Sequence, residues 1–298
     1  LFDGFSFSMG RRRGWLIIFQ VLLLASISMA GLLDPKSQIM TVAIISTAIA
    51  FFSASQDAVI DAYRRELLLD NELGLGTAIH VNAYRIAGLI PGSLALILAD
   101  VFAWELVFFI TGLFMIPGII LTILIKEPLL KVMPPKTVKE AVIEPFMEFI
   151  NRKGIKEAIL ILLFIFLYKI GDSMATALAT PFYMDLGFSM TEIGVIAKTV
   201  GFWASIIGGI LGGILMIKIG INRALWIFGF MQMFATLSFA WLAISGYSPL
   251  ILGITVGLEF FAAGLGTTAF IAYIAKTTNP KFTATQFALF TGLSAVPR

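Results

Sequence analysis

The chain contains no cysteine and only one histidine, His80. The first absence removes thiol catalysis, cysteine-based zinc sites and disulfides, and the second removes any histidine cluster for a metal. Charge is also scarce: Asp, Glu, Lys and Arg make up 13% of the 298 residues, against about a quarter of an ordinary soluble domain. An enzyme reading therefore starts poorly supplied with acids, bases and nucleophiles. What fills the chain is apolar: 59% of residues are hydrophobic and the mean hydropathy is +0.96. Lipid is the natural solvent for such a composition. The 21 basic and 18 acidic residues give a formal charge of +3, and most of the basic ones sit in short stretches between apolar runs. That pattern sets orientation in a membrane and does not suggest nucleic-acid binding. Leu1 follows no charged n-region or cleavage site, and residues 283–298 stop inside an apolar run. Both ends read as cut.

A bilayer core of about 30 Å requires about 20 apolar residues per helix. Eight runs satisfy this, near 14–33, 39–63, 78–100, 104–125, 157–183, 191–217, 223–245 and 249–275, and a ninth begins near 284. The fold class is accordingly all-α and integral to the membrane. Basic residues sort by alternate loops: Arg11 to Arg13; Arg64 and Arg65; Lys126, Lys131, Lys136, Lys139, Arg152, Lys153 and Lys156; Lys218 and Arg223; Lys276 and Lys281. The opposite loops carry Lys36 alone. By the positive-inside rule, loops 1–13, 64–77, 126–156, 218–223 and 276–283 are cytoplasmic.

An internal repeat sets the architecture. Gly10-Arg-Arg-Arg13 before one span matches Gly220-Ile-Asn-Arg223 before another, and the same step carries Ala62-Tyr63 onto Ala272-Tyr273 without an insertion. Parallel repeats of this kind, related by an axis along the membrane normal, predict two six-helix halves. On that plan 1–126 is the N-terminal half, helices 3–6 of a twelve-helix whole. Residues 127–156, with Pro128, Pro134, Pro135 and Pro145, form a cytoplasmic linker. Residues 157–298 are helices 7–10 and the start of 11, so about two helices are expected before Leu1 and most of two after Arg298. Within the linker, Val142, Ile143, Phe146, Phe149 and Ile150 fall on one side of a helix and Lys139, Glu140, Glu144 and Glu148 elsewhere. This is the pattern of an interfacial amphipathic helix lying on headgroups.

Several stretches carry a family resemblance. Asp3-Gly-Phe-Ser-Phe-Ser-Met-Gly-Arg-Arg-Arg-Gly-Trp15 resembles the loop between the second and third helices of major facilitator proteins. Ser55-Gln-Asp-Ala-Val-Ile-Asp-Ala-Tyr63, Ala83-Tyr-Arg-Ile-Ala-Gly-Leu89, Leu167-Tyr-Lys-Ile-Gly-Asp172, Gly208-Gly-Ile-Leu-Gly-Gly-Ile-Leu-Met216, Gly264-Leu-Gly-Thr-Thr-Ala-Phe270 and Ala284-Thr-Gln-Phe-Ala-Leu289 are similar to the AmpG family of muropeptide permeases. The resemblance implies a major facilitator fold and a proton-coupled symporter of the bacterial inner membrane. Its substrates would be anhydromuropeptides, small amino-sugar peptides released in peptidoglycan recycling. A related carrier of another bulky anion, of the acetyl-coenzyme A type, and an inactive fragment remain alternatives. The resemblance also implies that Asp3, Arg11, Arg12 and Arg13 form a charge latch that gates the transporter. A monomer is expected, with lipid around it, no nucleic-acid partner and no cofactor.

An ionisable group inside a span costs about 2.5 to 3.5 kcal/mol on insertion scales, so each needs a partner or a purpose. Asp57, Asp61, Arg85, Lys169, Asp172, Lys198 and Glu259 are such groups. Asp57 and Asp61 are one turn apart on a single helix face, beside Gln56, and a pair of carboxylates in low dielectric suits reversible protonation. Asp57, Asp61 and Glu259 are thus candidates for proton coupling. The alternative for the pair is a gate lock, with Asp61 on Arg64 or Arg65 and Asp57 on Arg85. Lys169 lies about 18 Å into its span, where a lysine meets an anionic substrate group or closes an ion pair with Asp172 three residues on. Lys198, Gln56, Arg85 and Tyr84 complete the candidate substrate set, and Lys198 and Glu259 could equally pair. Tyr84, Tyr168 and Trp203 are candidates for stacking on a sugar face, with no ground for choosing among them. The Gly208-Gly-Ile-Leu-Gly-Gly213 run reads as close helix packing, and Trp15, Trp104 and Trp226 as an aromatic belt. No nucleophile-and-base set or metal cluster accompanies the carboxylates, which argues against a membrane enzyme. The few mixed charges argue against a channel.

Overall fold

The computed structural model describes residues 10–127 and 138–296. Eight helices among them are long and apolar enough to cross a membrane. They are α1 (Arg11–Ala30), α2 (Ile39–Leu67), α3 (Leu73–Ala99), α4 (Trp104–Leu124), then, after the linker helix α5 (Val138–Lys153), α6 (Ile155–Asp185), α7 (Met190–Ile219), α8 (Ile221–Ser245) and α9 (Pro249–Thr277). A further helix, α10 (Thr283–Ala295), follows a short 3-10 turn at Pro280–Phe282. Large apolar side chains stand outward along these helices, Ile44, Phe51, Leu124, Leu163, Ile207 and Phe234 among them. Such a surface is stable only against hydrocarbon.

Local sequence explains where the helices stop. Gly220 is shared between the end of α7 and the start of α8 with φ of 79°, a backbone state that costs glycine nothing and other residues dearly. Ser189 and Glu192 close a reciprocal capping box at the start of α7. Three spans are not continuous α-helix. In α3 a π turn occupies Ile90–Leu94, where Pro91 lacks the N–H that an α-helical bond needs. A turn at Phe114 splits α4 three residues before Pro117, and α6 breaks at Lys169. In the loop after α1, the Asp34 carboxylate accepts from the Ser37 hydroxyl at 2.6 Å and the Lys36 N–H at 3.1 Å. These bonds hold its carboxyl below the usual carboxylate range.

By internal packing the chain forms two compact units. The first comprises Leu1–Leu67, Ile86–Phe149 and Thr278–Ala288, and the second Leu68–Arg85, Ile150–Thr277 and Leu289–Arg298. In the first, α1 packs on α2 and α4, with Leu16, Phe19 and Val59 at the centre. In the second, α9 is the hub, packed on α7 and α8, and Tyr183, Phe188, Ile193, Leu242, Leu252 and Val256 form one core cluster. Glycine allows the α7–α9 backbones to touch. A Cβ on Gly208 would lie 2.2 Å from the Phe261 carbonyl oxygen, and one on Gly264 would lie 2.5 Å from that of Ser205. Neither backbone can yield without parting the helices, so Gly208→Leu is expected to destabilise the protein by about 1–3 kcal/mol or more. A lowered thermal midpoint in detergent measures it, and an unchanged midpoint would mean the helices are not in contact there.

Candidate functional site

Two polar centres interrupt this apolar framework, one in each unit. In the second unit, Lys169 terminates the first segment of α6, with φ −93° and ψ −8°. Its side chain is 3% exposed, and its Nζ donates to Thr267 Oγ1 of α9 at 2.7 Å. Glu259, 7% exposed on α9, accepts from Thr236 Oγ1 of α8 at 3.2 Å. Tyr168, next to the lysine, stacks on Phe270 with centroids 4.7 Å apart and planes 2° apart. Its other surroundings include a cavity of about 490 Å³ that Phe164, Asn222, Trp226, Phe230 and Tyr273 also line. A buried ammonium at a helix break, beside hydroxyls and an aromatic wall, can receive an anionic group bearing an apolar or sugar face. The side chain of Asp172 lies outside the described residues, as does Asp3.

The other candidates fall apart from that centre. Lys198 and Trp203 are exposed on α7, and Tyr84 is 74% exposed on α3. Arg85 donates to the Ser205 carbonyl oxygen at 2.6 Å, tying α3 to α7. In the first unit, Asp57 is exposed on α2 while Gln56 buries its Oε1 without a hydrogen-bond partner. Asp61 accepts from Arg64 at 2.8 Å, and the Arg64 guanidinium lies 5.8 Å from the Phe287 ring centre.

The arginines at the start of α1 form the second centre. Arg12 is fully buried. With Arg11 it ion-pairs Glu66 at the end of α2, at 2.5 Å and 2.8 Å respectively, and it also donates to Thr283 Oγ1 at 2.6 Å. Arg13 donates to the carbonyl oxygens of Thr122 and Ile123 at the end of α4. Glu127 caps the helix: its two carboxylate oxygens accept from the Arg12 and Arg13 backbone N–H groups at 2.7 Å and 3.1 Å. A carboxylate there also faces the positive end of the helix dipole. Sequence reasoning missed Glu66, Glu127 and Thr283. The available signal was Glu66 directly after Arg64-Arg65 and Glu127 directly after the basic Lys126, both at span ends that carry basic residues.

Comparison with known proteins places this arrangement. Residues 5–298 match the model of the Major Facilitator Superfamily. A Haemophilus influenzae protein of uncharacterised function is 50% identical over 97% of this chain, which spans 70% of that protein's length. The anhydromuropeptide permease of Escherichia coli K12 is 43% identical over 97% of this chain, which spans 59% of the permease. A Rickettsia prowazekii protein provisionally named transporter AmpG 3 is 34% identical over 97% of this chain, with 70% of its own length spanned. The eight membrane-crossing helices, the match over nearly the whole length and these relatives agree: the chain belongs to the Major Facilitator Superfamily, as a multi-pass membrane transporter related to the AmpG anhydromuropeptide permeases, and not to any class of enzyme.

Proposed function

We propose that this chain belongs to a proton-coupled importer of anhydromuropeptides in the bacterial inner membrane, with its arginine-bearing loops in the cytoplasm and its repeat halves at 1–126 and 157–298. The buried Lys169 carries this reading. A buried cation about 20 Å along its span, close to where transporters of this build hold their substrates, suits an anionic group, and the peptide stem of such a substrate supplies a carboxylate. The E. coli relative's name supports the substrate class. Tyr168 and the cavity it borders offer a surface for the sugar rings. Asp57, Asp61 and Glu259 are the carboxylates available to carry protons. Of the α2 pair Asp57 is the stronger candidate, because Asp61 is engaged by Arg64, and Glu259 is the buried carboxylate of α9.

The coupling assignment is tested by separating accumulation from exchange in proteoliposomes holding the protein at its full gene-encoded length. Asp57→Asn is expected to abolish accumulation driven by an imposed pH gradient while preserving exchange of labelled for unlabelled anhydromuropeptide at no gradient. Glu259→Gln is expected to lower the number of protons moved per substrate. Gradient-driven uptake at the parent rate in Asp57→Asn, together with an unchanged stoichiometry in Glu259→Gln, would remove both from the coupling path.

A further inference from the structure

The junction between α9 and α10, residues 279–286 of the first unit, is gripped from two directions within that unit. One grip is the arginine centre, where Thr283 accepts from Arg12 and donates to Glu66 at 2.5 Å. The other comes from the linker helix α5. The Glu148 carboxylate accepts from Asn279 Nδ2 through one oxygen and from Gln286 Nε2 through the other, both at 2.7 Å. Gln286 also donates to the Pro145 carbonyl oxygen at 2.8 Å, and its own Oε1 accepts from the Asn279 N–H at 2.8 Å. Both ends of a side chain that is 1% exposed are thus satisfied. A buried polar network with every member bonded permits one geometry and resists others. Phe149 is buried from the adjoining face of α5, and Glu144 and Lys281 approach to 3.8 Å at its rim. Ile143, Phe146 and Met147 remain exposed on the opposite side of α5. The helix therefore spends its polar edge and Phe149 on the protein and keeps an apolar strip for the membrane surface.

We propose that α5 is a second latch on this junction: Glu148 holds residues 279–286 closed from the linker side while Arg12 and Glu66 hold them from the other, so that opening of this end during transport requires both to release. Alternating access demands that such an end open in each cycle. The latch differs from the arginine grip in its donors, because Glu148 is held by the side-chain amides of Asn279 and Gln286. It rests on the cytoplasmic placement proposed above.

These 298 residues contain no cysteine, so once any cysteine encoded outside them is replaced by serine a single reporter reads the junction. Ala284, 3% exposed, is replaced by cysteine in the full-length protein and its labelling by a membrane-impermeant maleimide is timed in inverted vesicles and in intact cells. The labelling rate in inverted vesicles is expected to rise at least tenfold in Glu148→Ala. Glu148→Gln, which keeps one carbonyl acceptor, is expected to fall between Glu148→Ala and the parent. A control reporter, Thr122→Cys at the buried end of α4, is expected to label at the same rate in all three backgrounds. Equal rates at Ala284→Cys with and without Glu148 would overturn the latch, as would equal acceleration at both reporters, which signals general loosening. Labelling from intact cells alone would instead contradict the cytoplasmic placement and leave the latch itself standing on the rate ratio.

Discussion

Lys169→Ala is expected to raise the KM for anhydromuropeptide at least tenfold, with the protein still folded and inserted. The argument is one of difference. A hydrogen bond between charged groups contributes about 1.5–3 kcal/mol, and about 1.4 kcal/mol is a factor of ten in affinity. Lys169 Nζ is held by Thr267 against α9, so a substrate carboxylate meets an ammonium already fixed in place, with little further ordering to offset the gain. Lys169→Arg keeps the charge on a larger, planar head and is expected to restore only part of the affinity. If Lys169 instead serves only to neutralise a neighbouring carboxylate, Lys169→Ala would lower the yield of folded protein and leave KM as it was. Uptake kinetics and a thermal melt of the same preparation separate the two.

Arg12→Ala is expected to be the most destabilising single substitution in the first unit. Its guanidinium is wholly buried and binds Glu66 and Thr283. Removing it breaks a buried ion pair and strands Thr283, although Arg11 still faces Glu66, and loss of one partner of a buried pair typically costs about 3–5 kcal/mol. At about 2–4 °C per kcal/mol for chains of this size, the thermal midpoint falls by roughly 6–20 °C. Arg12→Lys retains a charge but not the fork that reaches two acceptors, so most of the loss persists. A midpoint within about 2 °C of the parent for Arg12→Ala would show that the pair contributes nothing net.

The positions of the eight spans, their order and their loop charges were legible in the sequence because each depends on local composition and length. Lys169 and Glu259 were legible as charges with a cost, which is a property of depth alone. Their hydroxyl partners Thr267 and Thr236 were not, since a threonine in a span announces nothing until packing sets its neighbour. The break at Lys169 was equally silent, having no proline to mark it, whereas Pro91 and Pro117 stand at the irregular turns of α3 and α4. Arg11 to Arg13 were expected by resemblance to form a latch, but their acceptors Glu66 and Glu127 are far away in the chain, and sequence spacing does not carry contacts of that range. The linker helix was expected to place Phe149 on one apolar side with Ile143 and Phe146, but Phe149 is buried while those two are exposed. That its polar edge would settle on Asn279 and Gln286 depended on a junction more than a hundred residues later.

The central claim is that this transporter moves anhydromuropeptide on the proton gradient. Uptake of labelled anhydromuropeptide into vesicles containing the full-length protein, with and without an imposed pH gradient, tests it most directly. The account predicts accumulation that requires the gradient and collapses with a protonophore. No accumulation in either condition, by protein that is folded and correctly inserted, would contradict the assignment of substrate, and equal accumulation in both would contradict the coupling.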